Sequence, residues 1–296
     1  MVRRRVPGDR ITVLMPVKDC ASTVGRALRS TLRALPADAR VIVRSDSSTD
    51  GTVRAVRDVA DSRVTVEEGE ESIGVVSSLN RMLEQVDTPL VARMDGDDLC
   101  LPWRFRAQLR RIARGDDFVF ATTPTWRERQ RRLGPAKPLA ISPRGARLAL
   151  LVENGFAHPT MLARADVMRE LGGYRPVPSE DYDLWLRAAL ADFRISRVAA
   201  PGVIYRIHDS QVTADPGWQR DRARDNSVVT LVEQLARRVL GFTPGFIRWR
   251  KSGFDATAVP AALADEVAAV REAAASLPWS DRLVVTSRLR QIARHA

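Results

Sequence analysis

The chain has 296 residues, 45% of them hydrophobic and 28% charged, with a formal net charge of +11 at pH 7. This is the composition of a globular protein large enough for a substantial core and one or two domains. No apolar run reaches the roughly 20 residues that a spanning helix needs, so an integral membrane protein is not expected. The opening Met1-Val2-Arg3-Arg4-Arg5 has cations but no apolar stretch long enough for a secretory signal, and Cys20 and Cys100 belong to no CxxC pair. Both features predict a reduced, cytoplasmic protein with neither a zinc site nor a disulfide framework. Lysine occurs only at Lys18, Lys137 and Lys251, so the positive charge is almost all arginine. Between Arg127 and Arg147 seven basic residues face the single Glu128. That reads either as a solvated surface or as attraction to acidic substrates or an anionic membrane surface.

In chain order, Ile11 to Val17 is a compact apolar run cut by Pro16, which predicts a buried strand. Ala21 to Ala34 carries Val24, Ala27, Leu28 and Leu32 at helical spacing. Arg40 to Val43 predicts a second strand, and Ser47-Ser48-Thr49-Asp50-Gly51 a turn capping a helix from about Thr52. A strand at Arg63 to Val66, a helix from Ile73 to Gln85 and a strand at Pro89 to Met94 follow. Beyond Pro102 the pattern predicts a helix to about Arg114 and a strand at Asp117 to Ala121. The stretch from Thr122 to Pro143 has little periodicity and reads as a long mobile loop. A helix at Arg144 to Val152, a strand at His158 to Ala163, a turn at Gly172-Gly173-Tyr174, a helix at Glu180 to Leu190 and strands at Phe193 to Val198 and Val203 to Ile207 complete this part. From Gln219 onward the pattern is mostly helical. The alternation predicts an α/β fold with a mainly parallel sheet flanked by helices. Ligands in such sheets bind beyond the carboxyl ends of the strands, so Lys18-Asp19, Ser45-Asp46-Ser47-Ser48 and Asp95-Gly96-Asp97-Asp98 should share one edge.

Three constellations carry chemistry. Asp95 and Asp97, with Gly96 between them at the end of a buried strand, offer two acidic arms to a hard cation such as Mg2+ or Mn2+; an Asp-rich turn is the plain alternative. Glu180-Asp181-Tyr182-Asp183 opens a helix, where acidic residues ordinarily complement the dipole, yet a carboxylate anchored there is also a well-aimed base. Tyr205-Arg206-Ile207-His208 pairs a cation suited to phosphate with one of only three histidines.

These stretches, with Pro16-Val17, Ser45 to Thr52, Leu79-Asn80-Arg81, His158-Pro159-Thr160 and Gly172-Gly173-Tyr174, resemble in order the motifs of family 2 glycosyltransferases between about Ile11 and Thr213. The resemblance implies a GT-A fold, a catalytic domain at 1–213 and a helical C-terminal extension at 214–296. Within the domain, the nucleotide-sugar half would be about 11–121 and the acceptor half about 144–213. It implies inverting transfer of a sugar from a nucleoside-diphosphate donor, expected to be a UDP-sugar, to a glycan, lipid-linked or protein acceptor, with Mn2+ or Mg2+ as cofactor. Carried over, Pro16, Val17 and Asp46 would hold the nucleoside, Asp95 with Gly96 the ribose or sugar side, and Asp97 the metal. Asp181 would be the base, and Arg206 and His208 would engage the diphosphate or metal. Lys18-Asp19 and Ser45 depart from the family's usual residues, and both positions bear on nucleobase recognition.

Other classes account for less. A phosphoribosyltransferase would leave the Asp95 cluster and the Glu180 helix unexplained. A dehalogenase-type phosphatase would want its paired aspartates on the first strand. A nucleic-acid binder would place aromatics among its arginines, and Trp126 alone borders the basic stretch, so no nucleic-acid partner is expected. Phe242 to Lys251 mixes aromatics with cations. It reads either as a peripheral membrane contact or as a helix junction.

Overall fold

The computed structural model describes residues 10–208, 211, 217, 226–245 and 261–294. They fall into two compact units. The first comprises Met1–Pro138, Phe156–Pro176 and Val198–His208; the second comprises Leu139–Gly155, Val177–Arg197 and Asp209–Ala296. The aromatic and cationic part of the tail at 246–251, the residues around Thr213 and the start of the predicted helical tail at 219–225 lie outside the described residues.

The first unit is built on a sheet whose centre is β1 (Ile11–Val17). It pairs in parallel with β2 (Arg40–Ser45) on one side and β4 (Leu90–Arg93) on the other, and β3 (Val64–Glu68) pairs in parallel with β2. A strand covered on both faces is mostly apolar, which is why β1, with Thr12 its one polar residue, and Leu90-Val91-Ala92 of β4 read as hydrophobic runs. β5 (Leu99–Cys100) starts a smaller sheet. β6 (Phe118–Thr122) and β9 (Leu162–Arg164) extend the main sheet, with β9 antiparallel to both β4 and β6. β10 (Ile195–Pro201) closes the far edge. The helices α1 (Ala21–Ala34), α2 (Thr52–Arg57), α3 (Gly74–Glu84) and α4 (Arg104–Ile112) connect the strands. Val24, Leu28 and Leu32 of α1 and Phe105 and Ile112 of α4 join Val13, Met15, Val41, Val43 and Ala92 in one core. Burying these side chains is the main stabilising term of such a layer.

The Thr122 to Pro143 stretch contains a hairpin where the sequence predicted a loop: β7 (Thr125–Arg127) and β8 (Arg132–Gly134) pair antiparallel. β7 also pairs in parallel with β11 (Val203–Ile207), which is antiparallel to β5. Such short strands show no periodicity, and the hairpin is tied to the rest of the sheet through β7's pairing with the distant β11. His158 to Thr160 is likewise a 3-10 turn, and the strand begins at Leu162. Pro159 lacks the N–H that a strand needs, and Thr160 Oγ1 closes the turn by donating to Ala157 O at 2.7 Å. A short helix, α6 (Ala165–Glu170), had no clear sequence signal.

The second unit is helical. In it α5 (Pro143–Val152) starts at Ser142, whose side chain accepts from Gly145 N at 3.2 Å, and Asp281 Oδ1 accepts from Ser142 N at 2.8 Å. α7 (Glu180–Leu190) has the predicted bounds. It packs on α8 (Ser227–Leu240), while α10 (Trp279–Arg294) packs on both α5 and α9 (Ala261–Ala275). No helix among the described residues is long and apolar enough to cross a membrane.

Candidate active site

The carboxylate platform grows from the end of β4. Its ladder to β1 stops at Leu14↔Arg93, so Pro16 lies beyond the last β4 partner and its missing N–H costs the sheet no bond on that side. Met94 N still donates to Leu14 O at 3.1 Å, and the chain then turns through 95–98. Gly96 is required by closeness: a Cβ there would lie 2.7 Å from Val17 Cγ1 and 3.0 Å from Cys20 Sγ. With no side chain at 96, the turn's backbone lies close against the end of β1.

One ligand atom from each of Asp95, Asp97 and Asp98 can be chosen so that all lie within 4.8 Å of one another. Arg93 compensates Asp95 at 3.1 Å, and His208 Nε2 meets Asp97 Oδ2 at 2.8 Å. Asp98 is 1% exposed; Oδ1 accepts from Arg206 N at 2.8 Å, whereas buried Oδ2 has no hydrogen-bond partner. Burial, reinforced by the charges of Asp95 and Asp97, holds the Asp98 carboxyl well above the usual carboxylate range. A buried oxygen without a donor, beside two more carboxylates and an imidazole, is the donor set that a hard divalent cation completes. The residues present therefore fit Mn2+ or Mg2+.

The Arg206 guanidinium pairs with Glu128 Oε1 at 2.5 Å, and β7–β11 pairing delivers both residues. Asp46 follows β2, and its N–H donates to Val17 O at 2.9 Å. Its oxygens accept from Ile73 N at 2.8 Å, Ser72 Oγ at 2.8 Å and Gly74 N at 3.1 Å, so it holds the chain entering α3. Burial works to raise its pKa, but these donors and the Lys18 charge outweigh it and leave the carboxyl below its ordinary value. Lys18 Nζ donates to Ser72 Oγ at 2.9 Å, Asp19 N to Ser48 Oγ at 3.1 Å and Thr49 N to Asp19 Oδ1 at 2.8 Å. The loops after β1, β2 and β4 thus share one edge, as their parallel order predicts.

Asp181 belongs to the second unit. Asn154 Nδ2 donates to its Oδ2 at 2.8 Å and Tyr182 N to its Oδ1 at 2.6 Å, fixing the carboxylate at the start of α7. Asp183 is buried and neutralised by Arg187 at 2.6 Å one turn on.

The remaining motifs of the first unit meet in a buried cluster. His158 Nε2 and Tyr174 Oη are 2.9 Å apart, and Asn80 clamps the Tyr174 backbone, donating to its O and accepting from its N, both at 2.9 Å. Arg104 carried no signal in the sequence. It is 1% exposed and lies under the platform, where its guanidinium donates to Arg93 O at 2.8 Å and Met161 O at 3.2 Å. Gln108, one turn on, ties Val119 O and Thr160 O at 2.6 and 2.7 Å. An arginine on an arginine-rich helix looks like surface, and only packing shows that this one faces inward.

Residues 12–172 match the family model described as Glycosyl transferase family 2. The putative glycosyltransferase EpsE of Bacillus subtilis (strain 168) is 29% identical over 200 residues, which are 63% of this chain and 69% of that protein. Among solved structures, S. aureus TarS 1-349 in complex with UDP-GlcNAc superposes with a TM-score of 0.62 at 16% identity, covering 96% of this chain and 90% of that one. The mannosyltransferase PcManGT from Pyrobaculum calidifontis, in complex with GDP-Man and Mn2+, gives 0.55 at 18% identity over 97% and 87% of the two chains. The shared architecture is the GT-A fold.

Proposed function

The chain belongs to glycosyl transferase family 2, and from that premise we propose that it transfers a sugar from a nucleoside-diphosphate donor to an acceptor hydroxyl with inversion at the anomeric carbon. The observation that carries this reading is the platform at the end of β4, where three carboxylates, one with an unpartnered buried oxygen, gather beside His208. Asp97 and His208 would hold a divalent cation, Mn2+ or Mg2+. When bound, it supplies positive charge that neutralises the leaving diphosphate.

The protein's own groups do the rest. Pro16 and Val17 form the floor on which the nucleoside lies. Asp46, its oxygens occupied by the chain entering α3, acts on that pocket by shaping its wall. Asp95 and backbone-close Gly96 face the ribose and sugar. Arg206 exchanges Glu128 for a phosphate oxygen, and its planar fork suits either partner. Asp181, with each oxygen already fixed by a donor, takes the proton of the acceptor hydroxyl as that oxygen attacks opposite the leaving group. Holding donor and acceptor in line supplies much of the acceleration.

The catalytic domain in this reading is 1–213, with 214–296 an extension whose helices pack with α5 and α7. The donor is a UDP-sugar and the acceptor a glycan, a lipid-linked sugar or a protein, met in the cytoplasm or at the membrane surface. The test is a screen of nucleotide sugars for thermal stabilisation with and without Mn2+, since a bound donor raises apparent stability by mass action. Stabilisation by one donor that needs both the metal and Asp97 supports the reading. No stabilisation by any nucleotide sugar overturns it.

A further inference from the structure

The first unit carries a second concave feature that shares no residue with the carboxylate platform, a groove of about 760 Å³ between the end of α1 and the outer face of α4. Its floor is apolar and recessed: Leu35 is 8% and Phe105 1% exposed, with Leu109 half-buried. Its rim is Trp103, 45% exposed, with the exposed Arg106 and Arg110. Trp103 is held rather than loose, because its Nε1 donates to Pro201 O at 2.6 Å. Positions 103, 106 and 110 follow helical spacing and so form one stripe from the start of α4 along its length. From Leu101 to Arg114 the sequence has five arginines and no carboxylate. Arg104 points inward and Arg111 pairs with Asp116 at 2.7 Å. The side chains of Arg106, Arg110 and Arg114 enter no hydrogen bond or ion pair among the described residues.

We propose that this groove docks an acidic amphipathic helix of a partner protein. An apolar floor between walls takes a protruding ridge, and the apolar face of a helix is such a ridge. The cationic rim then asks for carboxylates flanking that ridge. A flat bilayer would touch only Trp103 and the arginine tips, leaving the recessed Phe105 and Leu35 uncovered. A second copy of the chain in a two-fold contact would set the α4 arginines against each other. An ordered tryptophan at the edge of an apolar depression is also the usual form of a binding hot spot.

The probe is a fluorescein-labelled helical peptide of about four turns, with leucines at i, i+3, i+4 and i+7 and glutamates beside them, titrated by anisotropy against the full chain. Saturable binding is expected. It should weaken roughly tenfold or more in the double variant Arg106→Glu, Arg110→Glu, and about tenfold in Trp103→Ala. The same peptide with lysine for glutamate should bind the double variant better than the native chain. Absence of peptide binding, or equal binding by native and double-variant chains, overturns the proposal. So does loss of phosphatidylglycerol-vesicle binding in these variants when the peptide binds neither chain, an outcome that makes the face a lipid contact. Thermal stabilisation by the donor, unchanged in the arginine variants, shows that they are folded; should Trp103→Ala lose its fold with the Pro201 bond, the arginine variants decide.

Discussion

Asp95-Gly96-Asp97-Asp98 in the first unit and Glu180-Asp181-Tyr182-Asp183 in the second are both short acidic runs at the edge of an element, and their surroundings treat them in opposite ways. In the second unit the protein itself finishes the compensation: Asp183 has Arg187, and Asp181 has Asn154 and the Tyr182 N–H at the positive end of a helix. In the first, Arg93 and His208 reach Asp95 and Asp97, and Asp98 keeps a buried oxygen that no donor meets. A run of carboxylates finished from within can aim a base, whereas a run left short of positive charge is prepared for a cation from outside.

The sharpest way to break this contrast is Asp97→Ala. On the proposed function it should lower kcat/KM by about a thousandfold or more and abolish Mn2+-dependent thermal stabilisation, because the cation's charge is lost from the leaving group. Full stabilisation by Mn2+ in this variant would move the metal elsewhere. Next comes Asp181→Asn, which keeps the size of the side chain and one of its two acceptor oxygens and removes the base. Transfer should fall about 10²- to 10⁴-fold while donor-induced stabilisation stays at its native value; near-normal turnover would mean another group takes the proton.

Stability measurements sharpen the comparison further. Arg104→Met removes the buried guanidinium beneath the platform and takes one donor from Arg93 O and one from Met161 O, which still accepts from Arg93 N. Urea unfolding should show a loss of about 2–4 kcal/mol, and a change within ±0.5 kcal/mol would mean that Arg104 is not the prop described. The smallest expected effect is at Asp46, a carboxylate finished by hydrogen bonds and the nearby Lys18 charge. Because its folded pKa is lowered, the stability it contributes is present above the ordinary carboxylate range and disappears as the pH falls through its depressed value. Asp46→Ala should therefore cost about 1–2 kcal/mol near neutrality and the difference from native should shrink steadily under acid conditions; a pH-independent difference would trace the loss to packing.

Much of this molecule was legible from residue order. The parallel core was readable because strands buried on both faces are mostly apolar, as at Ile11 to Val17, and the helices around it because their apolar residues recur at helical spacing, as at Val24, Leu28 and Leu32. Parallel order alone then placed the loops after β1, β2 and β4 on one edge. What could not be read was anything defined by a distant partner. The β7–β8 hairpin is tied to the sheet through β7's pairing with β11, and Arg104 is a core residue because α4 turns it under β4. Glu128, one of many charges in a basic stretch, becomes the partner of Arg206 only when β7 lies beside β11. Residue order determined that this protein has acidic loops at the mouth of a parallel sheet, since periodicity and backbone chemistry act over a few residues. Which of those carboxylates is satisfied from within and which keeps an unmet oxygen was decided by tertiary structure, because compensation of a buried charge depends on what packs within a few ångströms of it.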